Sequence, residues 1–235
     1  MLFEQEVKPV VVGGQAVNLW AIAYLEEGDP LVAATKYGSG DMDVLQESRV
    51  IEMLRNLPGW EYKRTPLWQF SVRTGQATGR SPDGRRLLVE ILAKVNGLEK
   101  NEIKHAAIDY GGAVYRLLDP ISLLKAKAAN VRTIRQDGEP PRHDREHLRL
   151  VAQCFPKYLC DTVSAAVGGG FEDERDAKVT ISRAFAVLQD SKTARVLLAE
   201  EISPASLMPP ELADCPIEPI RRAYQHQMPR LLQAG

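Results

Sequence analysis

The order of apolar and polar residues divides the chain into two parts with different patterns. Up to about residue 118, short apolar and β-branched runs alternate with amphipathic stretches, and glycine, proline and aspartate separate them. From residue 119 onward, apolar residues recur at helical spacing over long segments. The pattern therefore predicts an α/β domain over residues 1–118, followed by a helical domain over residues 119–235.

The first part contains several strand signals. The run KPVVVGG, residues 8–14, is β-branched and ends in two glycines, which predicts a buried strand that leads directly into a helix over residues 15–27. A second helix, over residues 47–57, is predicted to stop at Pro58-Gly59. Further strands are predicted for DMDVL (41–45), WEYKR (60–64), LWQFSVRT (67–74) and RRLLVEILAKV (85–95), with SPDG (81–84) as a turn.

The second part consists almost entirely of helical patterns. Predicted helices cover residues 119–136, 142–159, most of 171–202, and 216–233. The glycine run within AAVGGGFEDE separates two of these helices and is predicted to be a flexible joint. Such a series of helices is typical of a small helical bundle.

Composition limits the class of protein. Hydrophobic residues make up 44% of the chain, charged residues 26%, and the net charge is -1, so overall charge favours neither nucleic acid nor a membrane surface. The three cysteines include no C-x-x-C pair, which fits reduced thiols rather than zinc or disulfides. The amino-terminal residues resemble neither a signal peptide nor a membrane span. We expect a soluble, cytoplasmic protein without a membrane partner.

Two carboxylates stand one residue apart in the predicted strand DMDVL. Side chains alternate along a strand, so Asp41 and Asp43 share one face, about 6–7 Å apart, while Met42 and Val44 face the other way. Such close acids repel each other, and a hard divalent cation such as Mg²⁺ would relieve the repulsion. The preceding Gly-Ser-Gly, which includes Ser39, offers backbone N–H groups to an anion. Solvated turn acids are the alternative interpretation.

Two further features favour a phosphate and metal site. Gly13 and Gly14 lie between a strand and a helix, a geometry that directs backbone N–H groups and a helix N-terminus at a phosphate. They could also form only a tight turn. Glu90 is a lone acid in an otherwise apolar strand, and a charge in that setting needs a metal or a basic partner. A salt bridge to an arginine or lysine is the alternative for Glu90.

The order of these motifs resembles the nucleotidyltransferase superfamily of DNA polymerase β. VVVGGQAVNLWA followed by GSGDMDVL is similar to minimal bacterial nucleotidyltransferases, including the toxin-type members of abortive-infection systems. The resemblance implies an α+β fold: a nucleotidyltransferase-type mixed β-sheet with flanking helices, followed by a C-terminal helical bundle. Glu90 stands where the family more often has aspartate.

The resemblance also implies a site. Gly13 and Gly14, with Ser39, would bind the nucleoside triphosphate. Asp41, Asp43 and Glu90 would be both catalytic and metal-ligating, with Mg²⁺ or Mn²⁺ as the ion. In a two-metal scheme, one ion activates the nucleophile and the other steadies the pyrophosphate.

A second charged cluster lies where two predicted helices follow each other. Lys127 matches a lysine that toxin-type family members place near the nucleotide, and Asp144 matches an acid that orients it, although His143 stands where arginine is more usual. A solvated helix face for Lys127 and a helix cap for Asp144 are the alternatives. His143 and His147 share a helix face, but no acid or cysteine completes a convincing zinc set.

These observations predict transfer of a nucleoside monophosphate from a nucleoside triphosphate to a hydroxyl of RNA, protein or a small molecule, with release of pyrophosphate. The resemblance adds a toxin or defence role with an antitoxin partner. The alternative is a catalytically inactive binding module in such a complex. Arg73 and three later arginines could attract RNA or lie at a sheet edge. The three tryptophans, Trp20, Trp60 and Trp68, favour the core over base stacking.

Overall fold

The computed structural model describes residues 7–25, 41–66, 68–69, 71–137 and 142–234. The chain divides into two compact units, Met1–Leu123 and Leu124–Gly235. The predicted domains 1–118 and 119–235 stay a prediction, since compactness alone does not define an independently folding domain.

The first unit is built on a seven-stranded mixed sheet. Its strands lie in the order β3-β4-β5-β2-β1-β7-β6. Strand β2 pairs in parallel with β5, β1 pairs in parallel with β7, and the remaining neighbours are antiparallel. The strands are β1 (Val10–Val11), β2 (Asp41–Leu45), β3 (Glu61–Arg64), β4 (Arg73–Arg80), β5 (Arg86–Leu92), β6 (His105–Tyr110) and β7 (Ala113–Leu118). The helices are α1 (Gly13–Tyr24) and α2 (Ser48–Asn56), with a short 3₁₀ helix at Lys100–Glu102.

One face of the sheet carries a hydrophobic core under α2. Val44 of β2, Val89 and Ile91 of β5 pack with Val50 and Leu54 of α2, and all five side chains are buried. Because side chains alternate along a strand, the neighbours of these residues face the other side of the sheet. The polar residues of β2 and β5 therefore lie on the face opposite α2.

Strand β4 lies further along the chain than the sequence pattern indicates. The strand predicted over residues 67–74 is wrong for most of its length: β4 begins at Arg73 and runs through RTGQATGR, while residues 67 and 70 fall outside the described residues. Gly75 and Gly79 leave room for aromatic side chains of the adjacent chain segment. A Cβ on Gly75 would lie 2.8 Å from the Tyr62 hydroxyl, and one on Gly79 would lie 2.8 Å from Nε1 of Trp60.

The second unit contains the helices of the carboxyl-terminal half. Helix α3 spans Pro120–Thr133 and contributes its later residues to this unit. It is followed by α4 (Asp144–Ala166), α5 (Phe171–Gln189), α6 (Ser191–Ala199) and α7 (Glu218–Ala234), with 3₁₀ helices at Pro204–Leu207 and Pro210–Asp214. Buried side chains of α4 and α5, such as Leu148, Phe155, Ile181 and Phe185, form the apolar interior.

The architecture confirms the predicted α+β class, with a mixed sheet, flanking helices and a helical carboxyl-terminal region. The hairpin of β6 and β7 has no counterpart in the predicted elements. Its two-residue turn, Gly111-Gly112, has φ values of +60° and +76°, which is the conformation that tight hairpins need. None of the helices that the structure describes is long and apolar enough to cross a membrane.

Candidate functional site

The three predicted catalytic acids lie on one face of the sheet. Asp43 of β2 is directly opposite Glu90 of β5 in the parallel pair, and Asp41 is opposite Leu88. Directly opposed residues share a face, and Asp41 lies two positions from Asp43, so all three carboxylates project on the side away from α2. Each of the three residues is half-buried. The alternation expected for DMDVL therefore holds, with Val44 buried on the other face.

Gly13 lies against the carboxylate of Asp43. A Cβ at position 13 would be 3.0 Å from Cγ of Asp43 and would overlap one of its carboxylate oxygens. The φ of Gly13 is +67°, in the left-handed region that favours glycine. The backbone N–H of Val12 donates a 2.9 Å hydrogen bond to the Asp43 carbonyl, which holds the two segments together. The glycine pair and the D-x-D strand thus meet in the first unit.

The same segment starts helix α1. Gly13 and Gly14 are its first two residues, and the N-cap residue Val12 provides no side-chain hydrogen bond. The first N–H groups of a helix have no intrahelical acceptor, and the helix dipole adds partial positive charge there. This helix end therefore has the chemistry to bind a phosphate, beside an acid that could share a cation with it.

Glu90 has a basic partner. Nη1 of Arg73, at the start of β4, donates a short hydrogen bond to Oε1 of Glu90 and forms an ion pair with it. A shift of register between Arg73 and Gly75 brings the arginine to this face. The salt bridge that the sequence left as the alternative for Glu90 is thus present, and it lies on the same face as Asp43 rather than the far side.

The carboxylates of Asp41, Asp43 and Glu90 determine whether a divalent cation fits this site. Within the described ranges, no three His, Cys, Asp or Glu side chains are grouped so as to hold a metal ion. Mg²⁺ is commonly bound by one or two carboxylates together with phosphate oxygens and water. Asp41 and Asp43 supply two hard oxygen donors beside Gly13, whose lack of a Cβ keeps space next to Asp43. The two aspartates therefore have the donor chemistry for a nucleotide-bound cation, and Glu90 has an ion pair with Arg73.

The second unit contains the other predicted cluster. Nζ of Lys127 lies 2.8 Å from Oδ1 of Asp144, and both side chains are buried, with 7% and 2% of their surface exposed. Nδ2 of Asn130 donates to the same oxygen at 3.0 Å, and Nε of Arg142 donates to Oδ2 at 2.7 Å. Lys127 also contacts Nδ1 of His147 at 3.2 Å. The solvated face considered for Lys127 is therefore wrong.

Burial and charge shift the pKa values in this cluster. Burial alone would raise the pKa of Asp144, but the charge and hydrogen bond of Lys127, together with the bonds from Asn130 and Arg142, lower it well below its ordinary range. Burial and the nearby Lys127 charge lower the pKa of His147 to about 3. At neutral pH the cluster therefore holds a carboxylate, an ammonium and a neutral imidazole.

The structure brings together Gly13, Asp41, Asp43 and Glu90 in the first unit, and Lys127 with Asp144 in the second. Ser39 lies outside the described residues. Sequence reasoning missed Asn130, and it considered His147 only as a zinc ligand and not as a partner of Lys127. Their spacing gave a signal, because Asn130 follows Lys127 by three residues and His147 follows Asp144 by three, which places each pair on one helix face.

No protein-family model matches the chain, and no curated protein matches it. Among solved structures, it is similar to the crystal structure of an antigenic nucleotidyltransferase-like protein from Paracoccidioides brasiliensis, with 14% sequence identity and a TM-score of 0.43. That likeness covers 96% of this chain and 82% of the other. A likeness at this TM-score assigns neither a family nor an activity to this chain.

Proposed function

We propose that the chain is a metal-dependent nucleotidyltransferase that moves a nucleoside monophosphate from a nucleoside triphosphate to a hydroxyl acceptor. The observation that carries the proposal is the contact between Gly13 and Asp43. It joins a helix N-terminus suited to phosphate with the acid that would share a cation with that phosphate.

The chain's residues then have defined roles. Asp41 and Asp43 would hold Mg²⁺ or Mn²⁺, and Gly13, Gly14 and Ser39 would bind the triphosphate. When bound, the cation neutralises charge on the phosphates and on the leaving pyrophosphate. The acceptor oxygen forms a bond to the α-phosphorus as the bond from that phosphorus to the bridging oxygen breaks. Glu90, opposite Asp43, is the candidate to accept the hydroxyl proton.

Lys127 and Asp144 are proposed to contribute to nucleotide binding. An ammonium group neutralises phosphate charge, and an acid bonded to it fixes its position. The 2.8 Å contact between the two groups supports the orienting role for Asp144. Their buried state also makes them a stabilising pair, so a binding role has to be separated from a structural one by measuring affinity and stability together.

A transfer assay tests the proposal. The purified chain is incubated with Mg²⁺ and each of the four α-³²P-labelled nucleoside triphosphates, together with total cellular RNA, cell protein or small hydroxyl compounds. We expect label transfer with pyrophosphate release, reduced about 10²–10³-fold in Asp43→Asn, because removal of one preorganised charge-stabilising group from an active site typically causes a loss of this size. Asp109→Asn is the matched control, since Asp109 is exposed on β6.

The control variant should keep wild-type transfer. Absence of transfer with every nucleotide and acceptor class, or equal transfer by wild type and Asp43→Asn, would contradict the proposal. Growth arrest on expression, relieved by Asp43→Asn, would support the toxin role that the resemblance implies. Co-purification of a neutralising protein would then identify an antitoxin partner.

The ion pair between Arg73 and Glu90 favours a second candidate function. Because Arg73 pairs with Glu90, the third acid, the first unit could bind a nucleotide without catalysing its transfer. It would then act as a binding module in a toxin–antitoxin or defence complex. Calorimetry with each Mg-nucleotide distinguishes the two candidates when it is combined with the transfer assay. Binding without transfer supports the module, and binding with transfer supports the enzyme.

A further inference from the structure

A cavity of about 970 Å³ lies at one end of the sheet in the first unit. Its lining includes Arg64 at the end of β3, Arg73 at the start of β4 and Lys94 just after β5, with Arg55 and Tyr62 beside them. Its volume is near the upper end of the usual range for pockets that bind small ligands. An extended ligand could therefore place one part of its length in the cavity.

The cavity concentrates positive charge. Among the residues that the structure describes, the lining has four cationic side chains, those of Arg55, Arg64, Arg73 and Lys94, and one acid, Glu52. The whole chain has a net charge of -1, so this excess is local. Arg64 and Lys94 are exposed, and within the described residues neither forms an ion pair. These two cations are available to an anionic ligand.

Aromatic groups accompany the cations. The guanidinium of Arg55 lies over the Tyr62 ring, 4.9 Å from its centroid. Trp68 lies in a turn between Pro66 and Gln69, which both line the cavity, and the N–H of Gln69 donates to the Pro66 carbonyl at 3.0 Å. Trp68 is 79% exposed, so the core position expected for it is wrong, whereas Trp20 is buried as expected. An exposed indole on the segment that contributes Pro66 and Gln69 to a basic cavity is suited to stacking on a base.

We propose that this basic cavity and Trp68 form a binding site for single-stranded nucleic acid. Cations that follow a phosphate backbone and an aromatic surface that stacks a base are the two features such sites combine. A small inorganic anion would not need the indole, and an apolar ligand would leave the cations unpaired. A base-paired duplex does not offer a free base face to Trp68.

One residue of the cavity lining, Arg73, contacts the acidic face of the sheet. Arg73 bonds to Glu90, which lies directly opposite Asp43. The cavity itself is lined by Glu52 and Arg55 of α2, so it lies on the α2 side of the sheet, whereas the acids lie on the other side. The site is therefore one for nucleic-acid binding, and it goes beyond the proposed nucleotidyl transfer without assigning the acceptor of that reaction. The binding itself does not depend on transfer.

Fluorescence anisotropy of labelled 12-nucleotide probes tests the site. The full chain is titrated into single-stranded RNA, single-stranded DNA and duplex RNA of the same sequence, in EDTA and without nucleoside triphosphate. We expect both single strands to bind more tightly than the duplex. Tighter binding of RNA than DNA would indicate that the 2′-hydroxyl is also read. Trp68→Ala should weaken single-strand binding about tenfold, and Trp68→Phe should retain most of it.

A charge-removal pair separates the site from general attraction. In Arg64→Ala/Lys94→Ala, the negative slope of log K against log salt concentration should become less steep by about 1.4, because each lost phosphate contact removes about 0.7 for a single strand. Arg195→Ala/Lys100→Ala removes the same charges from exposed positions outside the cavity lining and should leave the slope near the wild-type value. Circular dichroism melting confirms that each variant folds.

Four results would overturn the proposal: no single-strand binding, equal duplex binding, equal effects of the two double variants, or no effect of Trp68→Ala. Because the assay contains neither metal nor nucleotide, failure of the proposed transfer leaves it unchanged. Conversely, transfer to a protein or small-molecule acceptor with no nucleic-acid binding would overturn this inference and leave the transferase intact.

Discussion

Gly13 and Asp43 depend on each other at the scale of single atoms. The left-handed φ of Gly13 and its approach to the Asp43 carboxylate both require the absence of a side chain. A turn glycine normally satisfies only the first requirement. The double requirement separates a glycine that shapes a site from one that only permits a turn.

A substitution series measures this difference. Gly13→Ala should destabilise the fold by about 1–2 kcal/mol from the left-handed backbone, with about 1–3 kcal/mol more from the overlap with Asp43. Gly111→Ala is the matched control, because Gly111 has a φ of +60° and a Cβ there would have no neighbour within 4 Å. Urea unfolding of both variants gives the comparison. Equal losses would show that the Asp43 carboxylate moves aside without cost.

His147 links stability to pH. Its pKa is lowered to about 3 in the fold, below the ordinary value of 6.5, so the unfolded chain binds more protons between these values. Stability is therefore fully present above pH 6.5 and is lost as pH falls toward 3. The slope from this residue is at most about 1.4 kcal/mol per pH unit. The lowered pKa of His105 adds a slope of the same sign.

Urea unfolding at pH 7, 5.5 and 4.5 checks this expectation. His147→Gln should reduce the dependence on pH without removing it, because His105 remains. His226→Gln should leave the wild-type profile, since His226 is exposed on α7. A His147→Gln profile that follows the wild type would contradict the expectation.

Residue-level prediction from the sequence succeeded where a local rule applied. Strand alternation alone predicts that Asp41 and Asp43 share one face and that Val44 lies in the core, and the register of β2 agrees. Alternation could not select Arg73 as the partner of Glu90. That contact depends on a register shift in a neighbouring strand, and such shifts leave no reliable pattern in one sequence.

At the scale of elements, the buried pair of Lys127 and Asp144 connects α3 to α4. Asp144 is the first residue of α4, yet its side chain also accepts bonds from Lys127 and Asn130 of α3. A helix cap would have satisfied only its own helix. The pair therefore fixes the position of one helix against the next.

Removing one partner should be costly. Asp144→Asn leaves the buried Lys127 ammonium without its counter-charge and should lower the free energy of unfolding by about 3–5 kcal/mol. The exposed pair of Arg135 and Asp137 provides the control, since solvent screens this pair and Asp137→Asn should leave the stability close to that of the wild type. Thermal and urea unfolding at pH 7 measure both. A small effect of Asp144→Asn would mean that water reaches Lys127.

The displaced strand β4 shows the limit of pattern reading at this scale. The segment LWQFSVRT has the apolar and aromatic residues that favour strands, whereas RTGQATGR contains two glycines that normally weaken them. The glycine-containing segment pairs because its neighbour provides Trp60 and Tyr62 to fill the space. Tertiary packing thus overrides local preference, and a single sequence does not reveal it.

For the whole molecule, the change of pattern near residue 119 predicts an α/β part followed by a helical part, since short strand runs and long helical periods are distinct. The α+β class with a mixed sheet was implied by the family resemblance. The sequence pattern did not predict the order of the seven strands in the sheet. The hairpin of β6 and β7 supplies β7 as the parallel neighbour of β1, and neither strand was predicted.

Ligand binding should stabilise the whole chain. At about 100 times its dissociation constant, a Mg-nucleotide adds about 2.7 kcal/mol, which for a chain of this size raises Tm by about 5–10 °C. Differential scanning fluorimetry with each of the four nucleoside triphosphates measures the shift. Asp41→Ala/Asp43→Ala should remove the Mg²⁺-dependent part. A shift that persists in this variant would place the nucleotide elsewhere.

The glycines of β4 also affect how the sheet assembles. Tyr62 and Trp60 fit against Gly75 and Gly79, so β3 can align with β4 in only one way. A slip by one residue would drive both rings into Cβ-bearing neighbours and turn the charges of Glu61 and Lys63 toward the apolar layer. Because the rings fit only this register, pairing of β3 with β4 out of register is unfavourable during folding. Strand β3 lies at the edge of the sheet, and its charged residues disfavour pairing of this edge with other copies of the chain.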